Sequence, residues 1–265
     1  MVPDKLSNAP VYYAIAQAQF NPVPAMHKYV DEIQDRLRRS GFTLFEPQQQ
    51  MHLQIPETGG ALTEPQFTQT SLWLLTKEDR SSGFILNTNS LSFHTTHYET
   101  RREFIPALLM GLAAVHDVVG LSHFSRLGLR YLDAVLPQDG ESVEKYLTPG
   151  LHGLHFPAPR VQSTTESVFQ TECSPMITTG QLLSRVYMTH GVVGFPPDLI
   201  PHGLTPKPKF TTQGLFHAVI DTDHSVSGHM PVDLELLEAQ LKDMHTSIKK
   251  IFAATVTDHA NRIWA

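Results

Sequence analysis

A single cysteine, Cys173, in a chain of 265 residues leaves no room for a disulfide framework or a zinc site built on several thiolates. A reducing compartment suits such a chain. The lone thiol, set among Ser, Thr and Pro, reads as incidental rather than nucleophilic. No apolar run approaches the ~20 residues that span a bilayer, and no basic segment followed by an apolar one opens the chain. The expectation is a soluble, cytoplasmic protein without membrane attachment. Charge is also scarce, at 17% of residues and a net −6. It divides evenly, with 11 basic and 14 acidic residues in 1–140 against 9 and 12 in 141–265. Neither half has the basic excess that drives phosphate-backbone binding, so nucleic acid is disfavoured as a partner.

Familiar catalytic motifs are missing as well. There is no GxGxxG or GxxxxGK[ST] to cradle a nucleotide, and no GxSxG to present a serine nucleophile. No HExxH or DxDxDG loop announces a metal. No cofactor is indicated. The adjacent pairs His116–Asp117 and Asp258–His259 diverge by about 100° on a helix and suit helix-end polarity better than proton transfer.

What the chain does contain is alternation and helical periodicity. "VYYAIAQAQF" (11–20) predicts a first strand. A helix over about 25–40 follows, striped by Met26, Tyr29, Val30, Ile33 and Leu37 and closed by Gly41. The Pro-, Gly- and Gln-rich stretch 46–66 leaves room for one short strand at most. "FTQTSLWLLT" and "GFILNTNSLSFHTT" flank a polar connection and read as a hairpin. A second helix spans 98–119 with Pro106 inside it, and Leu121 to Leu136 returns as a strand. Beyond a Pro/Gly/His-rich joint come strands over 161–173, 180–193 and 214–223. A helix of about 28 residues from Val232 closes the chain, a rod of roughly 42 Å. The fold class expected is α+β, with largely antiparallel sheets packed by long helices. "SFHTTHYETRREF" and "AVIDTDHSVSGHMPVDLELL" both run from strand through polar turn into long helix, which suggests two related β/α halves. The expected organisation is an N-terminal half (1–137), a joint (138–160) and a C-terminal half (161–265).

Three candidate sites emerge. Within "RLGLRYLDAV" (126–135), period-two geometry puts Arg126 and Arg130 on one face, about 13 Å apart, and Asp133 on the other. The arginines either line an anion-binding cleft for a nucleotide or RNA, or brace the sheet through ion pairs. Asp221, Asp223, His224 and His229 in "DTDHSVSGH" offer carboxylates and imidazoles for a divalent cation, and with it a metal-dependent or acid/base enzyme. His94 with His97, and His152 with His155, are spaced by three but need a turn to converge. Leu234, Leu237, Leu241, Met244, Ile248 and Ile251 form a heptad-like seam on the last helix. With no complete catalytic set, that seam makes the leading reading a non-enzymatic binding or assembly protein, self-associating as a homodimer or docking to a protein partner. Packing against a sheet is the competing reading of the seam.

Four pieces of the chain in order, "APVYYAIAQAQFNP", "SLWLLTKEDRSSGFILNTNSLSFHTTHYETRREF", "RLGLRYLDAV" and "LEAQLKDMHTSIKKIFAATVTD" with "RIW" after it, span nearly its whole length. Together they resemble a sporadically distributed family of uncharacterised bacterial proteins. In that family the strand commonly reads Arg-Tyr and then, two residues on, Asn or Asp, as Arg130, Tyr131 and Asp133 do here. The resemblance implies a soluble bacterial protein and brings no reaction or cofactor with it.

Overall fold

The structure is a computed structural model describing residues 7–54, 66–172, 179–212 and 214–265, with backbone alone at 50–54 and 66–70. Cys173 lies outside the described residues. The strands are β1 (Val11–Phe20), β2 (Leu44–Gln54), β3 (Gln66–Thr76), β4 (Ser82–Leu86), β5 (Ser90–Thr95), β6 (Phe124–Val135), β7 (Gln162–Thr171), β8 (Gly180–Gly191) and β9 (Leu215–Met230). The helices are α1 (Val30–Arg39), α2 (Arg101–Val119), the single turn α3 (Pro208–Thr211), α4 (Leu234–Thr255) and α5 (Asp258–Trp264). All nine strands join one antiparallel sheet in the order β2-β3-β4-β5-β1-β6-β9-β8-β7. The α+β expectation is met by one continuous sheet rather than several. The joint region, 138–160, lies between β6 and β7 and carries two 3-10 turns, Val143–Lys145 and Pro149–Leu151.

The two faces of the sheet differ because residues alternate along each strand. Ala14, Ala16, Ala18, Leu127, Leu129, Phe84 and Phe93 face α1, α2 and α4 and form the main core with Ile33, Leu108, Leu112, Leu241 and Met244. Small alanines along β1 let the helices approach closely. The opposite face is covered in part by the segment 193–210, whose Val193, Leu204 and Phe210 pack on Tyr12, Tyr13, Leu132 and Val219. Neighbouring residues Tyr12 and Tyr13 share this side because the β1–β6 register slips between Val11 and Tyr13. The same irregularity leaves Val11 packed against the helix-side core.

Local turn chemistry explains where the structure departs from the sequence reading. The predicted strand 83–96 is two strands, because Asn87 Oδ1 accepts from Asn89 N and Asn87 N donates to Ser90 O, closing a tight turn. The stretch with room for one short strand holds β2, 11 residues long and paired with β3 along its length. The terminal helix is shorter than expected. It stops at Thr255, Val256 bridges to Leu147, and Thr257 caps a separate α5 by accepting from Ala260 N. Asp233 caps the start of α4 through Glu235 N and Leu236 N. Pro106 sits within the opening turns of α2, and Gly120 ends that helix in the left-handed conformation. Among the described residues no helix is long and apolar enough to cross a membrane.

Candidate functional site

The face assignment of β6 holds, and its charges meet different fates. Arg130 is buried and clasped on two sides. Its Nε and Nη2 donate to the two oxygens of Asp221, each at 2.7 Å, while Nη1 and Nη2 donate to Asp198 at 2.7 and 3.2 Å. Burial opposes the guanidinium charge, but these carboxylates outweigh it and fix the charge firmly. Asp198 belongs to the segment 193–210, so Arg130 pins that segment to the sheet. Arg185 adds a contact to Asp221 at 3.7 Å and pairs with Glu166. Arg126 lies across Gly128 and donates to Gln17 Oε1 at 3.2 Å. The candidate anion site of Arg126 and Arg130 is therefore not an open cleft, because Arg130 is satisfied by the chain's own carboxylates.

The metal candidates are separated by strand geometry. Asp221 serves Arg130, and Asp223 lies on the same face opposite Arg130. His224 points to the helix side, with Nδ1 3.2 Å from Met244 O and Nε2 2.9 Å from Thr171 Oγ1. His229 is exposed and stacks on His123 at 4.5 Å. Among the described residues no three His, Cys, Asp or Glu side chains are grouped to hold a metal ion. His94 is enclosed against Tyr13, 3.0 Å from its hydroxyl, and burial pulls its pKa down to about 3. Of the helix seam, Leu237, Leu241, Met244 and Ile248 are buried in the core, and Leu234 and Ile251 pack against it half-buried. The seam is spent on the sheet within one chain. Self-association through it would require opening the core.

What the sequence reading passed over is the third charge of β6. Asp133 projects to the helix side, is 8% exposed, and its side chain makes no hydrogen bond or ion pair among the described residues. It sits at the floor of a cavity of about 280 Å³. Tyr131, Tyr98 and His245 share that floor, and Ile248, Phe252, Ala253, Pro10 and Val11 make apolar walls. Tyr98 and Tyr131 meet edge to face at 5.1 Å, and the Tyr98 hydroxyl is 3.5 Å from His245 Nε2. The Tyr131 hydroxyl is enclosed and, beyond its interaction with the Tyr98 phenol, meets no hydrogen-bond partner among the described residues. Arg101, Arg102, Lys249 and Glu99 stand around the cavity, at the start of α2 and along α4.

Desolvation alone drives the Asp133 carboxyl up to about 7, since no cation lies close enough to hold its charge. Burial likewise raises the Tyr98 phenol to about 12 and lifts Tyr131 well above its ordinary value. At neutral pH the floor thus presents two protonated phenols and a carboxyl poised between its forms.

A comparison with models of protein families finds no match for this chain. A comparison with curated proteins likewise finds no match. The site must therefore be read from its own geometry. A carboxyl on the apolar side of a strand, between Tyr131 and Val135, was the one signal in the sequence that could have marked it. Its companions come from the segment before α2, from α4 and from the residues preceding β1, so no local motif joins them.

Proposed function

We propose that this chain is a small-molecule binding protein whose ligand occupies the cavity over Asp133. The observation that carries this reading is the enclosed Asp133 carboxyl, which has no hydrogen bond or ion pair among the described residues and lies beside the Tyr131 phenol at the floor of an apolar-walled cavity. Folded chains satisfy nearly all their buried polar groups, so a carboxyl left open toward a cavity calls for an external partner. This differs from the expectation of a self-associating or partner-docking protein, which put binding on the helix seam. A second reading, an acid/base enzyme, is favoured by one observation: a carboxyl at about 7 suits proton transfer near neutral pH. The residue concerned is Asp133, in place of Asp221, Asp223 and His224.

The finer reading of the architecture, two related halves, belongs with this proposal. β1 and β6 pair at the sheet centre, and each is bordered by a strand, β5 or β9, that leads into a sheet-packed helix, α2 or α4. The cavity lies between those two helices, where a ligand would touch both halves.

A thermal-shift screen of small organic molecules tests the proposal, run in parallel on the native protein and on Ala253→Phe, which fills the cavity from its wall. A compound present at a hundred times its Kd should stabilise the native fold by about 2.7 kcal/mol. Compounds that stabilise both proteins equally bind elsewhere, and a screen yielding only those would overturn the reading.

A further inference from the structure

Every polar group on the floor of the cavity can donate a hydrogen bond. Tyr131 and Tyr98 carry phenolic protons, the Tyr98 hydroxyl standing 3.5 Å from His245 Nε2, and Asp133 donates when it holds its proton. Around them stand three cationic side chains, Arg101, Arg102 and Lys249, against one carboxylate, Glu99. Arg101 and Lys249 make no ion pair among the described residues. We propose that the cavity binds an organic anion, a negatively charged oxygen carried on a compact apolar body, with Asp133 kept in its protonated form as one of the donors. This rests on the cavity being a ligand site.

The alternatives fit less well. A cationic amine would satisfy a charged Asp133, but it would sit among three positive side chains and face phenols with no charge to offer. A neutral alcohol would leave Arg101 and Lys249 without a counter-charge. An anionic oxygen uses both features: the cations attract it and the converging donors replace its lost water. The apolar walls of Ile248, Phe252, Pro10 and Val11 set the rest of the molecule, and about 280 Å³ admits one or two fused rings or a short branched chain.

Placing an anion beside Asp133 couples ligand to proton. The titratable groups that line the cavity with Asp133 are Tyr131 on its own strand, Tyr98 and Glu99 before α2, and Arg101 and Arg102 on α2. His245 and Lys249 line it from α4, and Tyr12 feels the charge of Asp133 from β1. A bound anion raises the proton affinity of Asp133, and by reciprocity a protonated Asp133 binds the anion more tightly. Affinity should be full at acidic pH and should fall as Asp133 ionises, approaching tenfold per pH unit above that point. A ligand bound through a charged Asp133 would show the opposite slope.

The test uses three probes of one shape: 2-naphthoate, 2-naphthalenemethanol and 2-naphthylmethylamine. Their affinities are measured calorimetrically between about pH 5.5 and 8.5, where the acid and the amine hold their charges. Naphthoate is expected to bind most tightly, and to weaken at least tenfold toward the alkaline end. Asp133→Asn keeps a donor but cannot titrate, so it should bind naphthoate with no such slope. Tyr131→Phe should weaken naphthoate roughly fivefold by removing one donor. His245→Gln should leave the slope in place, which ties the slope to Asp133. Tighter binding of the amine, or naphthoate affinity that is flat or rising with pH in the native protein, overturns the anion proposal. If the alcohol or amine binds and naphthoate does not, the cavity stands as a ligand site and only its charge class is wrong. If none of the three binds the native protein, the ligand-site reading falls as well.

Discussion

An enclosed carboxyl without a partner should weaken the fold that contains it, by an amount that changes with pH. The Asp133 carboxyl ionises at 3.8 in an ordinary setting and at about 7 in the native protein. As pH rises from about 4, the unfolded chain gives up this proton while the native chain keeps it, so the unfolded state is favoured. The loss grows until about pH 7 and then levels off. The interval is roughly three decades of proton affinity, each worth about 1.4 kcal/mol, so the ceiling is about 4 kcal/mol. Asp133→Asn preserves the shape and removes the titration. The variant should match the native protein below about pH 4 and exceed it by up to about 4 kcal/mol at pH 8. Urea unfolding of both proteins at several pH values measures the difference directly. Other carboxylates, such as Asp198, whose value is lowered by Arg130, change stability in the opposite sense. They do so equally in both proteins and cancel in the comparison. Two unfolding curves that keep the same separation at pH 5 and pH 8, or a variant less stable than the native chain at pH 8, would refute the account of Asp133.

Three further changes probe the frame around the cavity. Asp221→Asn removes a buried bidentate partner from Arg130 and should cost about 3 to 5 kcal/mol in chemical denaturation; a loss under about 1 kcal/mol would mean that Asp198 suffices alone. Leu241→Ala should lower stability by about 2 to 5 kcal/mol without altering the mass measured by light scattering, and a changed mass with intact stability would restore the seam as a partner contact. Thr257→Ala should cost about 1 kcal/mol in thermal unfolding by uncapping α5, and no change would show that the break after Thr255 needs no cap.

The faces of β6 were legible because alternation is a local property, and period two separated Arg130 from Asp133 correctly. Their surroundings were not. Asp198 and Asp221 stand 68 and 91 positions from Arg130, and nothing local distinguishes these two among 26 acidic residues. The heptad spacing of α4 was visible as well, yet spacing alone does not say whether a sheet or a second chain fills the stripe. Here Leu91, Leu127 and Leu129 share its core. The end of α4 was missed because Thr255, Val256 and Thr257 continue a helical pattern, and a bridge to Leu147, far upstream, interrupts it. Asp133 was hidden by a reasonable rule. A buried charge in a strand ordinarily finds a partner, and only the structure shows that Asp133 has none among the described residues.

The position of β1 at the centre of the sheet has a consequence in time. Gln17 meets Ser92 across β5 and Arg126 across β6, partners 75 and 109 positions further along. A ribosome adding about 5 to 20 residues per second delivers the second of these roughly 5 to 20 s after β1 emerges. For that interval β1 has one finished edge at most, and its apolar alanine face has only α1 and α2 to cover it. β6 arrives before β9, its other neighbour, and waits in turn. Along the C-terminal arm synthesis runs against the order of the sheet, since β7 and β8 emerge before β9, the strand that joins them to β6. The cavity over Asp133, walled by α4, cannot close until that helix has followed β9 off the ribosome.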